Sequence, residues 1–305
     1  MRMTAMARVF IDGEAGTTGL QIRERLEGRA DVELVRIDPA RRKDPDARRE
    51  AFAAADVAIL CLPDAAAREA VELAEGLPVR IIDASTAHRI AAGWVYGFPE
   101  LAPDMPGRIA QASRVANPGC YATGAIALLT PLVKAGIIAC DEPLTINAVS
   151  GYTGGGKDLI AEYDEGRAPD FFVYALAQAH KHLPEIMAHA HLTRRPAFAP
   201  SVGAFAQGMA VQIPLHLDGR RLADLEDVLR AHYAGARFVE VVAPEARVVP
   251  TALNGTNRMQ LSVHGSDSPG LAVLVAVLDN LGKGASGAAV QNLNLMIGAD
   301  EAAGL

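Results

Sequence analysis

Cys120 follows directly on Pro118-Gly119 and precedes an Ala- and Leu-rich stretch, Ala122 to Lys134, with the texture of a helix. A thiol at a turn that opens a helix faces free N–H groups and the positive end of the helix dipole. Both favour the thiolate, which is the nucleophilic form. Cys61, inside the apolar run Val57 to Leu62, and Cys140, near the end of an apolar patch, lack that punctuation. Three cysteines without a CxxC pair make neither a disulfide framework nor a ligand set. A thiol nucleophile needs a base, and His180-Lys181-His182-Leu183-Pro184-Glu185-Ile186 offers two imidazoles at the expected start of a helix, with Glu185 placed to orient one of them. Two residues apart, His180 and His182 need not face the same way. His182, beside the Leu183-Pro184 turn, is favoured as the base and His180 as a substrate contact. His189 and His191 extend the group to four histidines in twelve residues. No cysteine or carboxylate completes a spacing such as HExxH, so no metal is expected.

Two glycine loops carry the remaining chemistry. Gly13, Gly16 and Gly19 form a GxxGxxG turn between an expected strand and an expected helix, with Thr17 and Thr18 at the helix start. Such a turn lets backbone approach a pyrophosphate and aims a helix N-terminus at it, so these five residues are candidate dinucleotide contacts. At the end of the second expected strand, Asp38 is able to take ribose hydroxyls, but Arg41-Arg42-Lys43 follows at once. A cationic run there favours a ribose phosphate, which makes NADP the expected cofactor and Arg41 and Arg42 its readers. The second loop, Gly151-Tyr152-Thr153-Gly154-Gly155-Gly156-Lys157, satisfies the GxxxxGK part of a P-loop, but Asp158 stands where a Ser or Thr would hold magnesium. The remainder is an anion cradle, and Gly154, Gly155 and Lys157 are candidate substrate contacts.

Positioning these groups takes more than one core. The chain has 305 residues, half of them hydrophobic, which suits two domains. A net charge of −7 argues against a nucleic-acid surface. The stretch Met1 to Ala7 lacks a signal-peptide core, and the longest apolar run, Leu271 to Leu278, is too short to cross a bilayer. The expectations are a cytoplasmic protein, a small-molecule partner, and neither nucleic acid nor membrane. Strands at Arg8 to Ile11, Val32 to Ile37, Val57 to Leu62 and Val79 to Ile82 alternate with helices at Thr17 to Glu27, within Asp46 to Ala55, and after Pro63. Uniformly apolar strands in that alternation mean a parallel sheet covered on both faces, a doubly wound domain. Beyond Cys120 come a strand at Leu144 to Val149, strands at Ala206 to Pro214, Arg237 to Val242, Arg258 to His264 and Leu271 to Val277, and a helix at Leu222 to Tyr233. These suggest an α+β domain with a mainly antiparallel sheet. The amphipathic segment Gly287 to Met296 is able to cross back to the first domain.

In order along the chain, the glycine turn, Tyr96-Gly97-Phe98-Pro99-Glu100-Leu101, Asn117-Pro118-Gly119-Cys120-Tyr121-Ala122-Thr123, Ser150 to Lys157, the His180 to Ile186 segment and Asp279 to Gly287 with Val290-Gln291-Asn292 resemble the N-acetyl-gamma-glutamyl-phosphate reductases of arginine biosynthesis. Pro-Gly-Cys alone is shared with aspartate-semialdehyde dehydrogenases, and the HxHxPEI segment tips the choice. Lys157, Asn254-Gly255-Thr256-Asn257-Arg258 and the form of the glycine turn are similar to the short variant. The resemblance implies a Rossmann NADP-binding domain over 1–116 plus 285–305 and a catalytic and dimerisation α+β domain over 117–284. It implies a homo-oligomer, a dimer or tetramer, with Ser85 and Asn292 at the cofactor and Asn117 at the substrate. It further implies reduction of an acyl phosphate by NADPH through a Cys120 thioester. The rivals are an aspartate-semialdehyde dehydrogenase or another acyl-phosphate reductase, a P-loop phosphotransferase, and a nonenzymatic dinucleotide sensor that would have no use for Cys120.

Overall fold

The computed structural model describes residues 6–305, so most of the stretch Met1 to Ala7 lies outside the described residues. The chain runs β1 (Ala7–Asp12), α1 (Thr17–Leu26), β2 (Val32–Val35), α2 (Pro45–Ala54), β3 (Val57–Leu60), α3 (Asp64–Leu73), β4 (Arg80–Asp83), β5 (Val95–Tyr96), α4 (Met105–Gln111) and β6 (Arg114–Ala116). It continues through α5 (Cys120–Lys134), β7 (Thr145–Gly151), α6 (Gly156–Asp164), β8 (Phe171–Val173), α7 (His182–His189), β9 (Ala197–Gly203), β10 (Met209–His216), α8 (Leu222–His232), β11 (Val239–Val241), β12 (Met259–Ser266) and β13 (Leu271–Leu278). It ends with α9 (Gly287–Ile297). Two compact units result: one runs to Pro118 and takes up Ala285–Leu305, and the other is Gly119–Gly284.

In the first unit six parallel strands lie in the order β2-β1-β3-β4-β6-β5. β3 is buried at every residue, as a central strand covered on both faces must be. Chain order reverses at β1, whose neighbours are β2 on one side and β3 on the other. In open sheets of this kind the crevice at the carboxyl ends beside such a reversal is where ligands bind. Gly13 follows β1 there and Cys61 follows β3. β2 stops at Val35, two residues short of the expected Ile37, and β3 stops at Leu60, where its register with Asp12 and Asp83 ends. β5, α4 and β6 were not anticipated. α9 belongs to this unit, and the Arg80 guanidinium helps hold it by donating to the Met296 carbonyl at 2.6 Å.

The second unit is a seven-stranded sheet in the order β11-β12-β13-β10-β7-β9-β8. Four neighbouring pairs are antiparallel, and β11 with β12 and β7 with β9 are parallel. α5 packs against the middle of this sheet. An added Cβ at Gly124 would stand 2.8 Å from the Val211 Cγ2, so the helix lies closer to β10 than any larger residue would allow. β8 and β9 were missed: β8 has three residues, and Pro200 in the middle of β9 reads in the sequence as a strand breaker although the strand runs on through it. β10 starts at Met209 rather than Ala206, because Ala206 is spent in a turn, where its carbonyl accepts the Thr153 N–H. No helix among the described residues is long and apolar enough to cross a membrane.

Candidate active site

The glycine turn sits at the carboxyl end of β1. Gly13 has φ +92°, and a Cβ on it would come within 2.4 Å of the Cys61 carbonyl oxygen, so both conformation and contact demand glycine. A Cβ on Gly19 would strike the Gly13 oxygen at 2.5 Å, so the third glycine lets α1 press against the turn. Gly16 differs. A Cβ there would meet nothing nearer than 3.5 Å, so protein packing does not require this glycine. Gly16 is the N-cap of α1 with no side-chain cap, and Thr17 and Thr18 form the first turn behind it. An open helix N-terminus flanked by bare backbone suits a pyrophosphate.

At the end of β2, Asp38 does not stand free for a ribose: its Oδ1 accepts the Ala40 N–H at 2.9 Å and caps the short turn Pro39–Arg41. Arg41 is half exposed and ion-paired to Asp44 at 2.9 Å, which raises its own pKa and lowers that of Asp44. Arg36, Asp38 and Arg41 line a groove of about 250 Å³ together with Glu50, whose carboxylate lies 4.0 Å from the Arg41 guanidinium. Arg36 went unremarked in the sequence because it lies inside the strand pattern. Arg42 is exposed beside this groove without lining it.

Ser85 is buried and gives its hydroxyl to Asp83 Oδ2 at 2.7 Å, the same oxygen that meets His88 Nδ1 at 2.6 Å. Asn292 donates to the Gly97 carbonyl at 2.9 Å and to Asn117 Oδ1 at 3.0 Å, while Asn117 donates to the Ala285 carbonyl at 2.9 Å. A Cβ on Gly97 would stand 2.4 Å from the Asn292 nitrogen. Asn117 and Asn292 are thus engaged with each other, holding α9 to the strand ends.

The thiol side lies in the second unit. Cys120 is the first residue of α5, and its N-cap, Gly119, brings no side-chain cap of its own. Glu185 serves instead: it is buried to 1% exposure, and its Oε1 accepts the Gly119 N–H at 2.8 Å. A carboxylate from α7 thereby fixes the turn from which the thiol projects. Gly284 closes on the other side, where a Cβ would stand 2.8 Å from the Cys120 Cβ and 3.2 Å from its Cα. The Tyr121 ring, buried behind the thiol, touches the rings of His180, His182 and Phe198 at centroid distances of 5.8, 5.9 and 5.6 Å. Its hydroxyl donates to the Ser201 carbonyl at 3.1 Å.

Charge development at Cys120 is felt by both neighbouring phenols. Tyr174 is pushed up to about 12, chiefly by burial, against the lowering effect of its hydrogen bond with Tyr121, and with the Cys120 charge adding to the rise. Tyr121 is raised further still, again first by burial. Both phenols therefore stay protonated at any ordinary pH.

The two imidazoles are distinguishable. His180 Nδ1 accepts the backbone N–H of His182 at 3.1 Å, so its neutral form carries the proton on Nε2, which lies 3.4 Å from the Tyr174 hydroxyl. His180 is therefore built as a donor. His182, the first residue of α7, is 5% exposed, with its ring 4.7 Å from that of His180.

Cys120, His180, His182 and Glu185 are thus gathered around Tyr121, whereas Tyr174 and Gly284 were missed. Tyr121 had a signal in its position next to Cys120. Gly284 lay in the family-like segment Asp279 to Gly287 but with nothing to tie it to Cys120, and Tyr174 had no signal, since only the fold brings them there. Gly154, Gly155 and Lys157 follow β7. A Cβ on Gly155 would strike the Leu159 Cδ2 at 2.4 Å, and Gly151 is required by Ala206, so part of the glycine density serves packing. Lys157 is exposed in the first turn of α6, with Asp158 beside it in the helix; the segment is a short turn and a helix rather than a P-loop. His189 ends α7 with its carbonyl accepting from Thr130, and His191 adopts φ +57° beyond it. Among the described residues no group of three or more His, Cys, Asp or Glu is placed to hold a metal ion.

Comparison with known proteins agrees with this division. The semialdehyde dehydrogenase family matches twice, its NAD binding domain over residues 40–108 and its dimerisation domain over residues 120–280. An N-acetyl-gamma-glutamyl-phosphate reductase 2 of Pseudomonas putida is 53% identical, over 97% of this chain and 98% of that protein. An N-acetyl-gamma-glutamyl-phosphate reductase of Brucella ovis is 54% identical, over 95% of this chain and 99% of its own length. Among solved structures, aspartate semialdehyde dehydrogenase II of Vibrio cholerae, complexed with ASA, superposes with a TM-score of 0.74 at 16% identity, covering 96% of this chain and 98% of that one. That of Candida albicans with NADP gives 0.68 at 14%, covering 96% and 98%. At such identities the structures speak for the fold, while the near-full-length likeness to the reductases places the chain in the N-acetyl-gamma-glutamyl-phosphate reductase family, within the semialdehyde dehydrogenases.

Proposed function

We propose that this chain reduces N-acetyl-gamma-glutamyl phosphate with NADPH to N-acetylglutamate 5-semialdehyde and phosphate, using Cys120 as nucleophile. The observation that carries the reading is the thiol at the N-terminus of α5, with Glu185 on the preceding N–H and two histidines across the Tyr121 ring. The dinucleotide is held by Gly13, Gly16, Thr17, Thr18 and Gly19, where the bare flank of Gly16 fits a pyrophosphate, and its ribose phosphate by Arg41 and Arg42. NADPH, when bound, supplies the hydride.

The Cys120 sulfur attacks the acyl carbon and the C–O bond to phosphate breaks, leaving phosphate and a thioester. His182, the favoured base, takes the thiol proton beforehand. After hydride arrives at the thioester carbon, the oxygen is left negative, and a protonated His182 and the donor Nε2–H of His180 face that charge. Collapse breaks the C–S bond, releases the aldehyde and returns the thiolate, which the helix N-terminus stabilises. Gly154, Gly155 and Lys157 are the proposed contacts for the substrate anion, Asn117 a further substrate contact, and Ser85 and Asn292 further cofactor contacts.

Two further parts of the proposal have their own support. A homo-oligomer follows from the match of the second unit to a dimerisation domain, and a cytoplasmic site from chemistry that needs a reduced thiol and NADPH. The test is phosphate-dependent reduction of NADP with N-acetylglutamate semialdehyde, set beside aspartate semialdehyde. Preference for the former is expected, and the reverse preference would assign the chain to aspartate-semialdehyde chemistry. Cys120→Ser should abolish turnover and leave NADPH binding intact; a serine variant turning over normally rules out the thioester.

A further inference from the structure

β8 pairs antiparallel with β9 in the register Phe171↔Gly203, Phe172↔Val202, Val173↔Ser201, and the Tyr174 N–H continues it by donating to the Pro200 carbonyl at 3.1 Å. Carried on, that register would set the backbone of Leu176 opposite Phe198. The chain leaves the sheet first. Ala175 turns away at φ +51° and Gln178 at φ +59°, a left-handed conformation costly for residues bearing a Cβ. The place vacated by the Leu176 backbone is filled by a side chain: Gln178 Nε2 donates to the Phe198 carbonyl at 2.9 Å, and Gln178 Oε1 accepts the Phe198 N–H at 2.8 Å. A primary carboxamide offers the same donor and acceptor pair as a peptide unit, so one side chain reproduces the two ladder bonds that the departing strand gave up. The Gln178 carbonyl is itself held by Arg195 at 2.7 Å.

The departure has a purpose within the reading proposed above, on which this inference rests. The loop so pinned ends at His180, whose ring reaches the Tyr121 and Phe198 rings, whose Nδ1 accepts the His182 N–H, and whose Nε2 faces Tyr174. Tyr174 enters the strained loop and His180 leaves it, so the Tyr174 hydroxyl and the His180 Nε2 that meet at 3.4 Å are set by the same short bend. We infer that Gln178 is a positioning residue for the reaction: its carboxamide, standing in for a strand, holds the 175–179 bend in its left-handed form and so fixes the tautomer and aim of His180.

Gln178→Gly removes the carboxamide while tolerating the positive φ, so it isolates the pairing from the backbone cost. Gln178→Glu keeps the acceptor half and loses the donor half. Each variant is compared with wild type by melting temperature, NADPH titration, Cys120 alkylation with iodoacetamide, KM and kcat with the semialdehyde, and the ¹⁵N spectrum of His180. For the glycine variant we expect NADPH binding and alkylation near wild type, KM for the semialdehyde raised about tenfold with kcat changed far less, and loss of the Nε2–H tautomer signature of His180. The glutamate variant should fall between. Unchanged KM and unchanged His180 spectrum in the glycine variant overturn the inference. So does a glutamate variant identical to wild type, which decides the matter if the glycine variant fails to fold. A loss shared equally by melting temperature, NADPH binding and turnover would make Gln178 a stability residue only, and also overturn it. Wild-type inactivity toward the semialdehyde would count against the proposed function instead, and the His180 spectrum would still decide the role of Gln178.

Discussion

Replacing Gly284 with alanine adds one methyl group where the fold has left no room for it. The new Cβ would stand 2.8 Å from the Cys120 Cβ and 3.2 Å from its Cα, with the Asp279 carbonyl oxygen also at 3.2 Å. Carbon atoms rest at roughly 3.5–4.0 Å, so about 0.7–1.2 Å must be found. The atoms in the way are those from which the Cys120 thiol projects, and no flexible side-chain tip is available to swing aside. Gly284 is not in the left-handed region, so alanine brings no backbone penalty and the effect is contact alone. Overpacking of this kind costs about 1–3 kcal/mol of stability. The same displacement passed to the sulfur costs far more in rate, since a misplacement of about 1 Å at a reacting atom is worth roughly a hundredfold. We therefore expect Gly284→Ala to fold, to bind NADPH as wild type does, and to lose about a hundredfold in kcat. The assay is steady-state turnover together with the burst of phosphate released on mixing enzyme and acyl phosphate without NADPH, which isolates thioester formation. A slowed burst places the defect at the thiol. A well-folded Gly284→Ala enzyme with a wild-type burst and wild-type kcat would refute the claim that this glycine seats Cys120.

Arg41→Ala with Arg42→Ala should raise the NADPH KM and shrink the preference for NADPH over NADH about tenfold, as read from parallel kinetics with both cofactors; an unchanged ratio would return the basic run to solvent. His182→Asn should shift the pH profile of Cys120 alkylation toward that of an ordinary thiol and cost about a hundredfold in turnover, whereas His180→Asn should keep the profile and mainly raise KM. If neither variant moves alkylation or turnover, the thiol is activated elsewhere. The Cys61 thiol, raised from about 9 to about 12 first by burial and then by Asp83 and Asp12, disfavours ionisation in the folded state. Its contribution to stability is thus complete below pH 9 and is lost as pH rises toward 12, by about 1.4 kcal/mol per pH unit. Denaturant titrations at pH 8 and 10.5 should show wild type losing about 2 kcal/mol more than Cys61→Ala, and equal losses would refute this.

What could be read in advance follows the physics of each half. The parallel domain was legible because its strands are buried on both faces and declare themselves as apolar runs between helices, as Val57–Leu60 does. β8 and β9 were not, since the three residues of β8 carry no period and Pro200 lies in the middle of β9, and their pairing depends on distant partners. At the site, Cys120 and the His180 to Glu185 segment were visible through punctuation. Their organisers were invisible. Gly284, Tyr174 and Gln178 look like ordinary residues until the fold sets them against Cys120, His180 and Phe198. Asn117 and Asn292 stand in motifs that resemble the family's, and the fold joins them: Asn292 donates to Asn117 Oδ1 and to the Gly97 carbonyl, and Asn117 to the Ala285 carbonyl.

The first unit is discontinuous, and that has a consequence for how the protein comes off the ribosome. All six strands of its sheet have been synthesised once Ala116 is made, but α9 is made only after the whole of Gly119–Gly284. Until then Arg80 lacks its Met296 carbonyl, and Arg29 lacks Asn294, which it meets at 2.7 Å, and the Ala303 carbonyl at 3.0 Å. The nascent dinucleotide domain must therefore wait, with the apolar bed of α9 uncovered, while a second domain is synthesised and folds. Residues 119–284 are one continuous stretch that can leave the tunnel and fold in a single pass, so the later-made thiol domain is positioned to finish first. Premature release anywhere in that stretch leaves the parallel sheet without α9, and apolar surface exposed in this way favours aggregation.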